Sequence, residues 1–186
     1  SMDGYVDNLT NNNDEPNRDE ETIRGSLLWD ATDDLAVNLK AEHSSFNIKG
    51  RQVEIFNETS FAGEPFYADQ LASVAAPDVI PGLSNTVLDG KRSANKDSSD
   101  NDMDSVTLRF DYQLGDYSLT AISAYLTYNY DELCDCDFTG ADLIEYQSDE
   151  QYEQISQEIR YTSATGDFLD YIVGVYYQKD KLKFND

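Results

Sequence analysis

The chain has 186 residues, of which 37 are acidic and 13 are lysine or arginine, for a formal net charge of −24. This charge argues against nucleic acid as a partner, because phosphate binding needs clustered basic side chains. The length suits one structural unit, and no apolar stretch reaches the roughly 20 residues of a membrane-spanning helix.

The N-terminal residues read as a surface segment. Ser1 and Met2 are interpreted as an expression scar, and residues 3–20 are rich in Asn, Asp and Glu. Clusters of this kind are typical of loops and turns. We therefore expect the natural chain to begin elsewhere and interpret 3–186 as a single excised piece.

Three hairpins follow, each made of two alternating runs around a tight turn rich in Asp or Gly. Strands are predicted near residues 21–30, 35–47, 105–114, 117–130, 151–163 and 168–181. Runs of roughly 9 to 13 residues exceed the usual strand of about 5 to 6 and match the length that crosses a membrane obliquely. The predicted fold is all-β, an antiparallel up-and-down meander of about six long strands that forms a fragment of a transmembrane β-barrel.

Two longer segments separate the hairpins. Residues 49–104 are predicted to be a long loop with a short helix over 67–76 and a mobile part at 96–102, and residues 131–150 are predicted to be a shorter loop. Outer-membrane barrels alternate short periplasmic turns with longer extracellular loops. The tight turns would then face the periplasm.

The strands are two-sided. In the second hairpin, for example, Val106, Leu108 and Phe110 alternate with Thr107 and Arg109. This alternation also fits any antiparallel sheet that covers a core. Strand length and loop asymmetry favour the membrane, as do the aromatic residues near the tight turns, where an interfacial girdle would lie. These aromatic residues are Trp29, Tyr112, Tyr161 and Phe168. The sides of the strand 119–128 are not assigned, because both carry apolar residues.

Several motifs carry a family likeness. They are DGYVDN at 3–8, RGSLLWD at 24–30, LTAISAY at 119–125 and SQEIR at 156–160. Because of these motifs, the chain resembles a segment of the barrel of TonB-dependent outer-membrane receptors. The resemblance implies energy-coupled import of a scarce nutrient, such as a metal chelate, cobalamin or a glycan fragment, across the outer membrane of a Gram-negative bacterium.

The same resemblance implies that this chain acts only within a larger protein. The plug domain and the segment that engages the TonB complex are not visible in the sequence, and six strands cannot close a barrel when the smallest barrels have about eight. We expect the isolated piece to be unable to transport. We also expect it to self-associate through its strand edges or its apolar faces.

Enzymatic chemistry is not expected. His43 is the only histidine, and neither a Gly-x-Ser-x-Gly elbow nor a phosphate-binding glycine loop occurs. No cofactor is expected. The competing interpretation, from another functional class, is a secreted acidic β-sandwich that acts as a binding or adhesion module, with calcium as its cofactor.

The candidate ligand contacts fall into two groups. Phe61, Phe66 and Tyr67 lie in the long loop, and loops of this kind grip the ligand in the family that the chain resembles. Arg24, Arg109 and Arg160 lie on the charged sides of their strands, where they either line a transport lumen or form salt bridges with neighbouring strands.

Two acidic runs are weaker candidates for metal binding. Asp100, Asp102 and Asp104 have the opening spacing of a calcium loop, but Ser105 stands where a sharp turn needs glycine. The second run holds Asp131, Asp135 and Asp137. Solvated acidic loops are the preferred interpretation of both.

Two cysteines, Cys134 and Cys136, lie within the second acidic run. They are read as two thiols or as a strained redox pair, because a zinc site would need about four ligands.

Overall fold

The fold is taken from a computed structural model, which describes residues 1–55, 88–142, 144–164, 166 and 168–186. The described residues form nine strands: β1 (Val6–Asn8), β2 (Asn13–Glu15), β3 (Asn17–Thr32), β4 (Leu35–Lys49), β5 (Lys91–Arg92), β6 (Ser98–Leu114), β7 (Tyr117–Asp135), β8 (Glu145–Thr162) and β9 (Ile172–Asn185). They make a three-stranded sheet, β2-β1-β5, and a six-stranded sheet, β3-β4-β6-β7-β8-β9. The all-β prediction is confirmed.

The six-stranded sheet is an antiparallel meander, as predicted, because each strand pairs with the next long strand in sequence. The turn between β6 and β7 uses Gly115 with a positive φ of 62°, a conformation that glycine adopts without steric cost. Within the described residues β3 and β9 are the edges and do not pair with each other, so the sheet is not closed.

All six long strands extend further than predicted at the ends away from the tight turns. β3 begins at residue 17, β6 at 98 and β8 at 145, whereas β4 continues to 49, β7 to 135 and β9 to 185. The prediction of loops was therefore wrong at these ends of β6, β7 and β8, which belong to the predicted loops 49–104 and 131–150 and to the predicted mobile part at 96–102. The polar run 98–104 pairs with residues 43–49 and 127–133, and this cross-strand pairing overrides its low intrinsic strand preference.

The last strand starts later than predicted at its turn end. β9 begins at Ile172 instead of residue 168. The predicted helix over 67–76 lies outside the described residues.

The register shows which side chains share a face. We divide the sheet between two adjacent rows. The turn half extends from the tight turns through the row Ala41–Val106–Tyr125–Ile155 on one face and the row Glu42–Ser105–Leu126–Gln154 on the other. The cap half extends from the row His43–Asp104–Thr127–Glu153 to the opposite strand ends.

One face of the turn half is almost entirely apolar, and we call it the apolar band. It contains Leu27, Trp29, Val37, Leu39, Val106, Leu108, Phe110, Tyr112, Leu114, Tyr117, Leu119, Ala121, Tyr125, Ile155, Ile159, Tyr161, Val173, Val175 and Tyr177. Two polar residues within it, Ser123 and Gln157, are hydrogen-bonded to each other at 3.0 Å. The register also settles the sides of β7, which the sequence alone left open.

The apolar band is the more exposed face. Along β8, Ile155 and Ile159 are exposed, whereas Ser156 and Glu158 between them are half-buried. On β6, Val106 and Phe110 are exposed, at 43% and 37%, whereas Thr107 and Asp111 on the other face are half-buried. In a water-soluble sheet the apolar face is the covered one. The described part of this sheet has the opposite arrangement.

The small sheet and the adjoining loops form a cap at the end of the large sheet away from the tight turns. Residues with almost no exposure concentrate here, among them Val6, Asn8, Ala94 and Thr139. Gly50 joins β4 to the cap with a φ of +79°, and a Cβ added there would lie 2.4 Å from the Glu15 side chain. The cap therefore fits against the sheet only with glycine at this position.

Candidate functional site

The three predicted arginines lie on the charged face of the turn half, opposite the apolar band. Each is paired with a carboxylate. Arg24 Nε donates to Glu42 at 2.7 Å, Arg109 forms two hydrogen bonds with Asp111 at 2.7 and 2.8 Å, and Arg160 Nε donates to Glu158 at 2.9 Å.

Only two of these arginines belong to one arrangement. Thr120 donates to Asp111 at 2.8 Å and lies beside Arg160 in the register, so β6, β7 and β8 share a belt of alternating charges. Arg24 pairs separately with β4. Charges neutralised in this way hold neighbouring side chains in place more than they attract an anion.

The predicted metal ligands do not form a metal site, although Asp100 of the first run and Asp131 of the second are cross-strand neighbours. Asp100, Asp102 and Asp104 occupy alternate positions of β6, a strand and not a calcium-binding loop. Asn47 donates to Asp100, and His43 Nδ1 lies 2.9 Å from Asp104. Among the described residues no group of three or more His, Cys, Asp or Glu side chains has a geometry that could hold a metal ion.

The second acidic run is split between the sheet and the cap. Asp131 lies on β7, where its hydrogen bond with Asp149 raises the pKa of Asp131. Asp135 accepts a hydrogen bond from the Asn95 backbone at 2.7 Å, and Asp137 accepts one from the Thr139 backbone at 3.0 Å. Burial raises the pKa of Asp135 to about 6.

Cys134 and Cys136, between these acids, form a disulfide whose Cα atoms are 5.3 Å apart.

Phe61, Phe66 and Tyr67 lie outside the described residues. A different aromatic group, absent from the prediction, appears on the large sheet. We call Phe46, Tyr128, Tyr130 and Tyr152 the aromatic wall. They occupy the cap half of the face that carries the arginines.

The rings of the aromatic wall form two pairs. Tyr128 and Tyr152 stack with ring centroids 5.1 Å apart, and Phe46 and Tyr130 lie 6.5 Å apart with tilted rings. Tyr128 donates to Glu150, and Tyr152 donates to Gln154 at 2.8 Å. These hydrogen bonds fix the rings in orientation.

The charges around the wall limit what it could contact. The wall occupies two rows of the sheet, and the described residues of those rows include Glu20 and Glu150 but neither lysine nor arginine. Aromatic rings beside carboxylates suit a neutral or cationic ligand and disfavour an anion. The alternation of Tyr128 and Tyr130 is a sequence signal for this wall, but only the strand pairing shows which face they occupy.

The cap above the wall is held by a buried charge network. Arg92 is 3% exposed and lies 2.9 Å from Asp97 and 3.5 Å from Glu15. Asn8 donates to Glu15 at 2.9 Å and to the Ala94 carbonyl at 3.0 Å. This network ties β1, β2 and β5 to the start of β6, because an unpaired charge at such depth would be costly.

No family model matches the chain, and no curated protein or solved structure matches it.

Within the part of the chain that the structure describes, no helix has the length and apolarity needed to cross a bilayer.

Proposed function

We propose that the chain is a barrel segment of a TonB-dependent outer-membrane receptor and serves, within the whole receptor, in the uptake of a scarce nutrient. The observation that carries the proposal is the exposed apolar band, which lies opposite a face of paired charges. Lipid is the solvent that accepts such a band without cost.

The height of the band fits a bilayer. On β6 it extends from Val106 to Leu114, and on β7 from Tyr117 to Tyr125. A nine-residue strand is about 30 Å long and, at the usual barrel tilt, spans roughly 23 Å of membrane. Outer-membrane barrels have an apolar zone of about 25 Å.

Aromatic residues at the turn end support the same placement. Tyr117 and Tyr161 stack at 5.7 Å, and Tyr161 and Tyr171 lie 6.2 Å apart. Tyrosine and tryptophan concentrate at membrane interfaces because they have an apolar body and a polar tip. The disulfide in the cap suits an oxidising compartment outside the cytosol.

Within this proposal the aromatic wall is the surface of the described chain best suited to contact a ligand. It lies on the face that would line the barrel, directly below the cap, which would be extracellular. Without basic residues in its rows, the wall favours a neutral nutrient over an anionic chelate. Among the three implied substrate classes, an uncharged glycan fragment or cobalamin fits this chemistry better than an anionic metal chelate.

The single tryptophan of the chain gives a direct test. Trp29 lies in the apolar band, whereas Leu28 beside it faces the other side and is similarly exposed, at 65% against 61%. The chain is refolded into phosphatidylcholine vesicles with brominated acyl chains, where the expected self-association through its strand edges would satisfy the backbone groups of β3 and β9, and tryptophan fluorescence is recorded. We expect strong quenching of Trp29.

The matched control moves the tryptophan by one residue. The double variant Leu28→Trp with Trp29→Phe places it on the charged face, and we expect much weaker quenching. Equal quenching of both proteins, or emission that does not respond to vesicles, would contradict the proposal. The second result would favour the secreted binding module, which keeps its apolar residues away from lipid.

A further inference from the structure

The last strand carries a set of basic residues that the proposed function does not use. Lys179, Lys181 and Lys183 occupy alternate positions of β9, and we call them the lysine ladder. The register places Lys179 beside Ile155 and Lys181 beside Glu153. The ladder therefore lies on the same face as the apolar band and begins at its upper margin.

The lysine ladder concentrates positive charge in a chain that has few positively charged residues. It holds three of the 13 lysines and arginines of the chain. Among the described residues none of its ammonium groups forms an ion pair, although Arg24, Arg109 and Arg160 all do. Unpaired cations in a chain of net charge −24 are a feature that intramolecular pairing does not explain.

A shallow cavity of about 200 Å³ adjoins the ladder. It is lined by Tyr125, Glu153, Gln154, Ile155, Lys179, Asp180 and Lys181. Tyr125 and Ile155 belong to the apolar band, so the cavity joins an apolar floor to a cationic rim. Glu153 is the one carboxylate on the same face beside Lys181, because Asp180 belongs to the opposite face of β9.

We propose that the lysine ladder binds the phosphate of an anionic lipid head group whose acyl chains lie on the apolar band. This inference depends on the proposed membrane placement. Lysine side chains above an apolar surface extend their ammonium groups to the phosphate level of a bilayer. Tyr125 and Tyr177, at the upper margin of the band, are typical of that level.

A lipid is favoured over a free phosphate ion by the charge of the chain. The cap half of this face carries ten acidic residues: Asp19, Glu21, Asp100, Asp102, Asp104, Asp131, Asp135, Glu145, Asp149 and Glu153. Their field repels a dissolved anion. A lipid gains apolar contact with the band, and this contact offsets the repulsion and delivers its phosphate to the ladder.

The test measures which lipids stay bound. The chain is refolded into nanodiscs of equal parts phosphatidylcholine and phosphatidylglycerol, released in the mass spectrometer, and the retained lipids are counted. We expect preferential retention of phosphatidylglycerol. The triple variant K179Q/K181Q/K183Q should lose roughly a hundredfold of that preference, at about fivefold per lysine.

The control variant K49Q/K96Q removes two lysines outside the ladder and should keep the preference. Retention of phosphatidylglycerol by the triple variant at the level of the unaltered chain would overturn the inference. It would leave the lysines as charges that protect an edge strand from pairing, a role that needs no lipid. Loss of the bound lipid to millimolar inorganic phosphate would also overturn it, in favour of a free-anion site.

The tryptophan experiment separates this inference from the proposed function. If Trp29 is quenched and Leu28→Trp is not, the band lies in lipid whatever the lysines do. Quenching in the triple variant then shows that it still inserts, so its lipid count reports on the ladder alone.

Discussion

The two halves of the large sheet differ in which face is apolar. In the turn half the apolar residues lie on the exposed face, and paired charges such as Arg109 and Asp111 lie on the other. In the cap half the exposed face is acidic and the shielded face carries the aromatic wall. The strands run through both halves without interruption, so side-chain chemistry alone changes the solvent that each half suits.

This difference between the halves indicates where along the strands the hydrocarbon core of a bilayer would end. Acidic residues begin in the row His43–Asp104–Thr127–Glu153, immediately above the last apolar row. Carboxylates in hydrocarbon are costly. The cap half would therefore stand in water above the membrane and support the cap.

The largest expected effect tests the cap. Arg92→Ala removes the ion-pair partner of buried Glu15 and leaves Asp97 with Arg51 at 3.7 Å as its remaining cation, which costs about 3 to 5 kcal/mol. We expect the β1 and β5 amides to lose protection in hydrogen exchange while those of the turn half keep it. Arg18→Ala, at the exposed pair with Glu20, is the control and should change stability by less than about 1 kcal/mol. Equal loss of protection in both halves would mean that the halves are not independent.

The next prediction compares the halves on one face of one strand. Ile159→Arg places a charge in the apolar band and should destabilise the inserted chain by about 2 to 4 kcal/mol. Gln151→Arg makes the same change in the cap half and should be nearly neutral, because that position would lie in water. Urea unfolding from phosphatidylcholine vesicles measures both. A similar cost at the two positions would place the membrane boundary elsewhere.

A pH effect is expected in the cap. The pKa of Asp135 is about 6 when folded and about 3.9 when unfolded, so the folded cap binds the proton more tightly. The contribution of Asp135 to the free energy of unfolding of the cap is therefore greatest below about pH 4, and it falls by about 3 kcal/mol as the pH rises through 6. Asp135→Asn should remove this slope, as measured by hydrogen exchange of the cap amides at several pH values. Asp33→Asn, in an exposed turn, should leave it.

The smallest effect is expected at Arg24. Its guanidinium is 58% exposed and its pair with Glu42 lies near water, so Arg24→Ala should cost less than about 1 kcal/mol in the same urea experiment. A cost as large as that of Arg92→Ala would show that the charged face is packed against another part of the protein.

The sequence predicts the turn half well and the cap half poorly. Alternation with period two, as in Val106 to Tyr112, identifies both the strand and its apolar side. The polar run 98–104 looks like a loop because its strand pairing depends on partners far along the chain. The burial of Arg92 depends on the parallel pairing of β1 with β5, which no local pattern signals. The aromatic wall was missed because β7 carries apolar residues on both sides.

The pairing in the cap also has a consequence for the order of folding. Each hairpin of the large sheet closes between neighbouring segments of the chain, whereas Asn8 reaches the Ala94 carbonyl across 86 residues. Contacts between distant segments form slowly because the intervening chain must first lose its freedom. We expect the hairpins to form first and the N-terminal segment to close over them last.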